Sequence, residues 1–473
     1  MSPGGEGTAA QAAGATVVLD IGKTNAKLTL IDAAGHTRAE VRTPNAVRQD
    51  GPYPHHDTER LWDWLLTQLR EFAALAPIRA LVPVTHGATA ALVDDAGLVL
   101  PVPDYEHLPG DASDAARYDA LRPSFEESGS PRLPAGLNLG RQLDWLQARF
   151  PAEFARARHV LMYPQYWAWR LCGVAASEVT SLGCHTDLWR PRERAWSSLV
   201  ERQGWASLFP PRREAWARLG VLRPELAERT GLPTDCGIVC GIHDSNASLL
   251  RHLPTLKRSG PCTVLSTGTW VIAAALGSAT RPLVEAQDML ANCNVFGDAV
   301  PCMRFMGGRE FGVIAGAEPA AFGLAEIEAL IARRTMALPC FAETGGPFAG
   351  QAGRVDGPLP ATPAESAALA TLYVVLMADC CLSALGAEGA PVVVEGAFTA
   401  NAWFGGLLAG LRDGRQVIVS DDASGTTCGG WLLSQWGREV AAPQEAVEAV
   451  NPAGWRAYRE AWRARAESGL LVP

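Results

Sequence analysis

Residues 16–32 read TVVLDIGKTNAKLTLID, and the rest of the chain is understood outward from them. Thr16 to Leu19 is β-branched and aliphatic, and Lys27 to Asp32 alternates polar with apolar, so both flanks are expected as strands. The turn between them carries Asp20, Gly22, Lys23, Thr24, Asn25 and Lys27. It is dense in hydrogen-bond donors and holds a glycine where a backbone can approach a ligand closely. One fixed acid and two cations on a strand–turn–strand suit a nucleotide triphosphate with its Mg2+, although an ordinary hairpin with a polar tip has the same pattern. A Walker A loop is excluded. Its first glycine would fall at Val17, and a strand follows where that motif needs a helix.

A second stretch repeats the design about 245 residues further on. Thr263 to Leu276 is another strand–turn–strand, with Ser266-Thr267-Gly268-Thr269 at its turn. One such hairpin per half implies a structural duplication with a boundary near Asn246 to Gly260. At 473 residues the chain exceeds what one core usually supports, which also favours two domains. The expected division is a loose Gly- and Ala-rich tail over 1–14, a first domain over 15–246 and a second over 247–473.

Net charge is −9 with interspersed signs, so sequence-independent binding to nucleic acid is not expected. No apolar run approaches the ~20 residues of a membrane span, and the N-terminal stretch lacks the pattern of a signal peptide. Eleven scattered cysteines without a CxxC pair argue against a zinc site and for a reducing cytoplasm.

Between the hairpins, Asp57 offers an N-cap for a helix with Leu61, Trp62, Leu65, Leu66, Leu69 and Phe72 on one face. His55 and His56 just before it read as polar surface residues, not as metal ligands. Ile78 to Val84 is a buried-strand pattern ending in Thr85-His86-Gly87, and a later strand delivers Asp104, Tyr105, Glu106 and His107 into a loop. Strand ends of an α/β sheet are where polyol-sized ligands sit. Pro109 to Asn138 reads as an irregular excursion, and a helix is expected over Tyr163 to Leu171. Ile238 to Gly241 is a short strand running into His243-Asp244. In the second half, strands are expected at Cys293 to Phe296 and Cys302 to Phe305. A long helix over Pro363 to Leu385 is capped by Thr362. Val392 to Val394 then runs into Glu395-Gly396-Ala397 through Asn401. A helix from Gly429 to Trp436 completes the pattern.

Taken together these segments resemble the FGGY carbohydrate kinases of the actin/hexokinase/heat-shock superfamily, over almost the whole length. Asp20 through Lys27 is similar to the family's first phosphate motif and Ser266 through Trp270 to its second. Glu395 through Asn401 is similar to its adenosine motif, and Gly241-Ile-His243-Asp244 to the segment with the catalytic acid. Arg141 through Trp196 follows its middle signature. The resemblance implies an α/β fold of two actin-like, ribonuclease H-like domains, with mixed sheets flanked by helices and the ligand cleft between them.

It also implies roles. Asp244 would be the general base. Asp20 would hold Mg2+, and Gly22, Lys23, Thr24, Asn25, Lys27, Ser266, Thr267, Gly268 and Thr269 would bind the phosphates of ATP. Gly396, Ala397 and Asn401 would face the adenosine. His86, Gly87, Tyr105, Glu106, His107, Gln165 and Asp244 would line the sugar site, with His185 beside them. Thr-His-Gly-Ala-Thr and Ser-Thr-Gly-Thr-Trp are most similar to the branch acting on 6-deoxyketohexoses, L-rhamnulose and L-fuculose, which implies transfer to the C1 hydroxyl. A ketopentulose kinase of the ribulose or xylulose type is the alternative. From other classes come a sugar-independent ATPase of the actin/heat-shock kind and an inactive sugar sensor. The partners expected are a small ketose and ATP, with neither nucleic acid nor membrane, and a homodimer is left open.

Overall fold

The computed structural model describes residues 14–107, 110–252, 260–278, 281–342, 345–420, 425–438 and 445–468. The expected tail, up to residue 13, lies outside them, as do residues 253–259 of the expected boundary.

The opening hairpin is β1 (Ala15–Ile21) and β2 (Asn25–Ile31), antiparallel, with Asp20 opposite Lys27. β3 (Thr37–Pro44) pairs with the outer side of β2. α1 (Thr58–Ala73) starts at Asp57, whose carboxylate accepts from the Arg60 N–H, and buries the apolar face that its 3.6-residue period marks out. β4 (Ile78–Thr85) returns parallel to β1, so the ends of both strands open at the same edge. The His86 N–H donates to the Ile21 carbonyl there, at 2.9 Å. α2 (Tyr163–Cys172) buries Tyr163, Tyr166 and Trp167 and stops at Gly173, whose φ of 81° suits a residue without Cβ. β5 (Arg218–Val221) and β6 (Gly237–Val239) complete a sheet of order β5-β6-β4-β1-β2-β3. Ile242–His243 also pairs with β4. α3 (Asp244–Leu250) begins immediately after it.

The second sheet repeats this plan. β7 (Cys262–Thr267) and β8 (Val271–Leu276) are the antiparallel hairpin. β9 (Met289–Cys293) and β10 (Ala299–Phe305) extend it beyond β8. α4 (Gly307–Ala315) starts against the hairpin turn, with the Gly308 N–H on the Gly268 carbonyl at 3.1 Å. α5 (Pro363–Ala384) starts at Thr362, whose hydroxyl accepts from the Glu365 N–H. β11 (Val392–Gly396) then joins β7 in parallel, as β4 joins β1, and β12 (Val417–Ser420) follows. α6 (Gly425–Ser434) and β13 (Glu445–Ala446) close the sequence of strands, whose order is β9-β10-β8-β7-β11-β12-β13.

α6 belongs by sequence to the second half but packs on the first sheet. A Cβ at Gly429 would fall 2.0 Å from the Ala247 carbonyl oxygen of α3, and one at Gly430 would lie 2.6 Å from Val18 Cγ1 of β1. Two glycines therefore let α6 lie flat across α3 and β1. Its first turn ends up beside Asp20.

Several expectations are corrected. Pro109 to Asn138 is not irregular throughout, because Ala112–Leu121 is a helix with a capping box between Asp111 and Asp114. The strand expected at Cys293 to Phe296 is β9, which ends where Asn294 turns the chain back. α6 begins four residues before the predicted start: small, hydroxyl-rich Gly-Thr-Thr carries no helical periodicity. His56 is buried at 1 % exposure, not a surface residue, and burial holds its pKa near 3. α5 is long and apolar enough to cross a membrane by length and composition, although no such run was expected. Of its most apolar window, 83 % is buried inside the protein, where it forms the spine of the second core.

Candidate active site

The edge where β1 and β4 end, the start of α3 and the first turn of α6 converge on two acids. Asp20 accepts from the Thr426 hydroxyl at 2.7 Å and lies 3.5 Å from Lys27 Nζ. Burial raises its pKa, Thr426 and Lys27 oppose that, and the charge of Asp244 pushes it up again. Asp244 is itself raised by burial, with the facing His86 pulling it back. Two carboxylates that feel each other in a low-dielectric crevice suit a divalent cation, and hard oxygen donors suit Mg2+. The donor set therefore fits the ion.

The β1–β2 turn is held from behind. The Gly22 N–H donates to the Asn25 carbonyl at 2.9 Å, and the Asn45 amide donates to the Gly22 carbonyl at 2.8 Å. Thr24 and Asn25 are left exposed. Lys23 turns elsewhere. Its ammonium lies 2.7 Å from Asp104 and 3.3 Å from Glu106, over the Tyr105 ring, so it faces the expected sugar loop and not the phosphate side of the turn. Asp104 is fully buried and also holds His107 Nδ1 at 2.8 Å. Asp104, Glu106 and His107 have the spacing of a metal site, but the Lys23 ammonium already occupies the charge.

In the second hairpin, Ser266 and Thr269 are exposed at the turn. Thr267 is not available as expected. Its hydroxyl donates to the Glu395 carbonyl at 2.6 Å and accepts from the Phe398 N–H at 2.9 Å, tying β7 to the end of β11. Gly396, at φ 88°, passes so close that a Cβ would fall 2.0 Å from the Thr267 carbonyl oxygen. Gly396 and Ala397 present open backbone. Asn401 is committed to structure: its oxygen accepts from the Trp403 and Phe404 N–H groups and its NH2 donates to Thr371.

On the other wall stand His86, Gly87 and Tyr105. His86 is 6 % exposed, its Nδ1 engages the Gly87 carbonyl and its Nε2 is buried with no partner among the described residues. Burial lowers its pKa, and the Gly87 carbonyl and the charge of Asp244 oppose that. Tyr105 stands edge-on to it, ring centroids 5.6 Å apart. Gln165 is corrected. It is fully buried, and its NH2 donates to the Cys240 and Gly241 carbonyls, so it supports the strand that delivers His243 and Asp244. His185 is likewise tied to the Leu137 carbonyl through Nδ1, and burial lowers its pKa to about 4.

Sequence reasoning missed Thr426, Asn45 and His243 as members of this site. Thr426 lies 406 residues from Asp20, and only the glycine packing of α6 brings them together. A signal for it existed in Gly425-Thr426-Thr427, a third small hydroxyl cluster after a strand. The crevice shares no residue with a cavity of about 400 Å3 walled by Trp62, Tyr166, Trp169, Arg170 and Arg223, where Arg170 is already paired with Glu59.

Comparison with known proteins identifies the family and the fold. Residues 135–250 match the model of the FGGY family of carbohydrate kinases, N-terminal domain, and residues 259–443 match the carbohydrate kinase FGGY, C-terminal domain. A carbohydrate kinase from Novosphingobium aromaticivorans superposes with a TM-score of 0.89 at 36 % identity, covering 95 % of this chain and 100 % of that one. A xylulose kinase from Lactobacillus acidophilus shares the fold, with a TM-score of 0.78 at 14 % identity over 97 % of this chain and 98 % of that one. The L-fuculokinase of Salmonella typhi is 26 % identical over 273 residues, 54 % of this chain. That match spans 55 % of the fuculokinase, about half its length. The duplicated hairpins, the two family models and a full-length structural relative at this identity place the chain in the FGGY family of carbohydrate kinases.

Proposed function

We propose that the protein transfers the γ-phosphate of ATP to a small ketose, a 6-deoxyketohexose of the L-fuculose or L-rhamnulose kind, at its C1 hydroxyl. The observation that carries this reading is the position of Asp244. It starts α3 at the strand edge, facing His86 and Tyr105 on one side and Asp20 with its phosphate hairpin on the other. A group there meets both a sugar hydroxyl and a γ-phosphate.

Phosphoryl transfer through a loose transition state needs alignment and charge neutralisation more than covalent help. Thr24, Asn25 and Lys27 would donate to the phosphates from the first hairpin; Ser266, Thr269 and the Gly268 backbone would do so from the second. Asp20 would hold Mg2+ through water, and the bound ion would neutralise charge on the phosphates. Asp244 would take the hydroxyl proton as the O–P bond forms. His86 Nε2 and Tyr105 would hold the sugar, Gly396 and Ala397 would let the adenine ring lie against backbone, and residues 15–246 and 247–473 would close on the pair. Eleven free thiols fit a reducing, cytoplasmic setting.

A ketose panel with ADP release as readout tests this. L-fuculose or L-rhamnulose is expected to raise ADP release about 100-fold or more over the sugar-free rate, because closure excludes water. Both inert beside an active xylulose or ribulose would reverse the substrate assignment, and ADP release indifferent to every ketose would favour a plain ATPase.

Lys23→Met is expected to raise the ketose KM about tenfold and leave the ATP KM within about twofold, because Lys23 holds the sugar loop through buried Asp104. A rise confined to the ATP KM would return Lys23 to the phosphates.

A further inference from the structure

We infer that Arg304 of the second sheet holds two neighbouring hydroxyls of the ketose across the crevice, and so decides which sugars are accepted. The inference rests on the reading of the protein as a ketose kinase. Arg304, near the end of β10, is in register with Ile272 of β8. Ile272 stands opposite Ser266 of β7, and Ser266 opposite Glu395 of β11. Partners in register put their side chains on one face of a sheet. Glu395 identifies that face, because it pairs with Arg251 at the end of α3. Two residues further into the strands, Val264, Ala274 and Cys302 belong to one apolar cluster, against which Leu249 of α3 packs. The row therefore looks toward the first domain, with Arg304 two strands away from Ser266 of the phosphate turn.

The guanidinium is fixed in place. Its Nε donates to Asp288 at 2.9 Å, and Asp288 also accepts from the Gly346 N–H at 3.0 Å. Its carbon stands 4.7 Å from the centroid of the Trp270 ring. The two terminal nitrogens have no hydrogen-bond partner among the described residues, and the side chain stays 18 % exposed. A planar fork of N–H donors fits two adjacent oxygens, and with Asp288 balancing its charge it suits neutral hydroxyls. Its place on the sheet favours the sugar over the nucleotide. Gly396 and Ala397 lie on the far side of β7, whereas β10 lies beside β9. There the Cys293 N–H of β9 donates to the Gly183 carbonyl at 3.1 Å, and Gly183 leads into Cys184 and His185 of the first domain. Burial takes the His185 pKa to about 4, and the Arg304 charge adds to that lowering. Burial and the charge of Asp244 raise Cys184, and Arg304 opposes them. Cys184 is thus within electrostatic reach of both Asp244 and Arg304. With the C1 hydroxyl at Asp244, the fork is left for hydroxyls farther along the sugar. Beyond C2, every vicinal pair of a ketopentulose or a 6-deoxyketohexose includes the C4 hydroxyl.

The test compares Arg304→Met and Arg304→Lys with the unaltered full chain. ADP release is read with L-fuculose, L-rhamnulose and xylulose, and with the 4-deoxy form of whichever reacts fastest. The unaltered enzyme is expected to prefer that ketose over its 4-deoxy form by about 10³-fold or more in kcat/KM. A site built to hydrogen-bond a hydroxyl rejects the analogue that lacks it. Arg304→Met is expected to raise the ketose KM about 10- to 100-fold, with the ATP KM within about threefold, and to cut the preference by about tenfold or more. Arg304→Lys keeps a cation beside Asp288 but loses the fork, so its preference should fall in the same way. It decides the matter if Arg304→Met fails to fold. The preference is a ratio within one preparation, so the fraction of folded enzyme cancels from it. An unchanged preference in a folded variant, or a KM rise confined to ATP, would overturn the inference. ADP release that no ketose raises would instead overturn the kinase reading on which it rests.

Discussion

Asp244→Asn is expected to lower kcat by about 10²- to 10⁴-fold while the ATP dissociation constant stays within about threefold. The replacement is nearly isosteric. Its side-chain oxygen can still accept from the Ser245 N–H, now at 2.6 Å, so α3 keeps its first turn. What disappears is the basic oxygen. A sugar hydroxyl is a poor nucleophile, and an amide cannot take its proton. The proposed nucleotide contacts reside on other elements, the β1–β2 turn and the β7–β8 turn, so binding should persist. In the unaltered enzyme, kcat should rise with pH through a limb above the ordinary carboxylate value of about 3.9, because burial raises the Asp244 pKa and only its ionised form accepts the proton. An asparagine variant with kcat within tenfold of normal would mean that another group takes the proton.

The second large effect concerns stability. Arg251→Met is expected to destabilise the protein by about 3–5 kcal/mol near neutral pH, because it leaves a buried carboxylate short of its cation. Glu395, at the end of β11, is 6 % exposed and pairs with the Arg251 guanidinium, while His252 Nε2 lies 3.2 Å away. The pair joins the end of α3 to the end of β11, so it ties the first sheet's helix to the second sheet. Burial alone would raise the Glu395 pKa, but His252 and Arg251 together hold it below its ordinary value. A depressed carboxylate stabilises the fold at pH above its unfolded value of 4.5, and that contribution is lost as pH falls through the lower folded value. With Arg251 gone, His252 alone opposes burial, so the folded pKa rises, and the variant is penalised more as pH climbs. The melting temperature should therefore drop by about 6–15 °C at pH 7, and the deficit should shrink toward pH 4. A deficit that is constant across this range would show that lost packing of the Arg251 stem, and not its charge, matters.

Much of this architecture was legible because it is local. The period-2 flanks of residues 16–32 mark the first hairpin, and Asp57 and Thr362 mark two helix starts by side chains that bond their own next turn. Parallel pairing of β4 with β1 follows from a helix lying between two strands. The candidate site was legible where a motif carries its residues together, as with Asp20 and Lys27 across one hairpin. It was not legible where function depends on a partner far away in sequence. Thr267 and Asn401 look like ligand donors on paper, yet Glu395, Phe398, Thr371 and the Trp403 backbone consume their hydrogen bonds. Lys23 sits in a phosphate-type motif, yet buried Asp104 captures it. Thr426 shows the converse: an unremarked residue that α6 carries onto Asp20 because Gly429 and Gly430 let the helix cross so closely. Composition and periodicity encode which face of an element is buried, but not which polar groups find each other once the faces have met.

The most direct measurement is a structure of the protein with a ketose and a non-hydrolysable ATP analogue bound together. It should show the reacting hydroxyl within about 3.2 Å of an Asp244 carboxylate oxygen, and the γ-phosphate in line beside the turn of Thr24, Asn25 and Lys27. A sugar hydroxyl turned away from Asp244, or a triphosphate seated outside the space between the β1–β2 and β7–β8 turns, would contradict it.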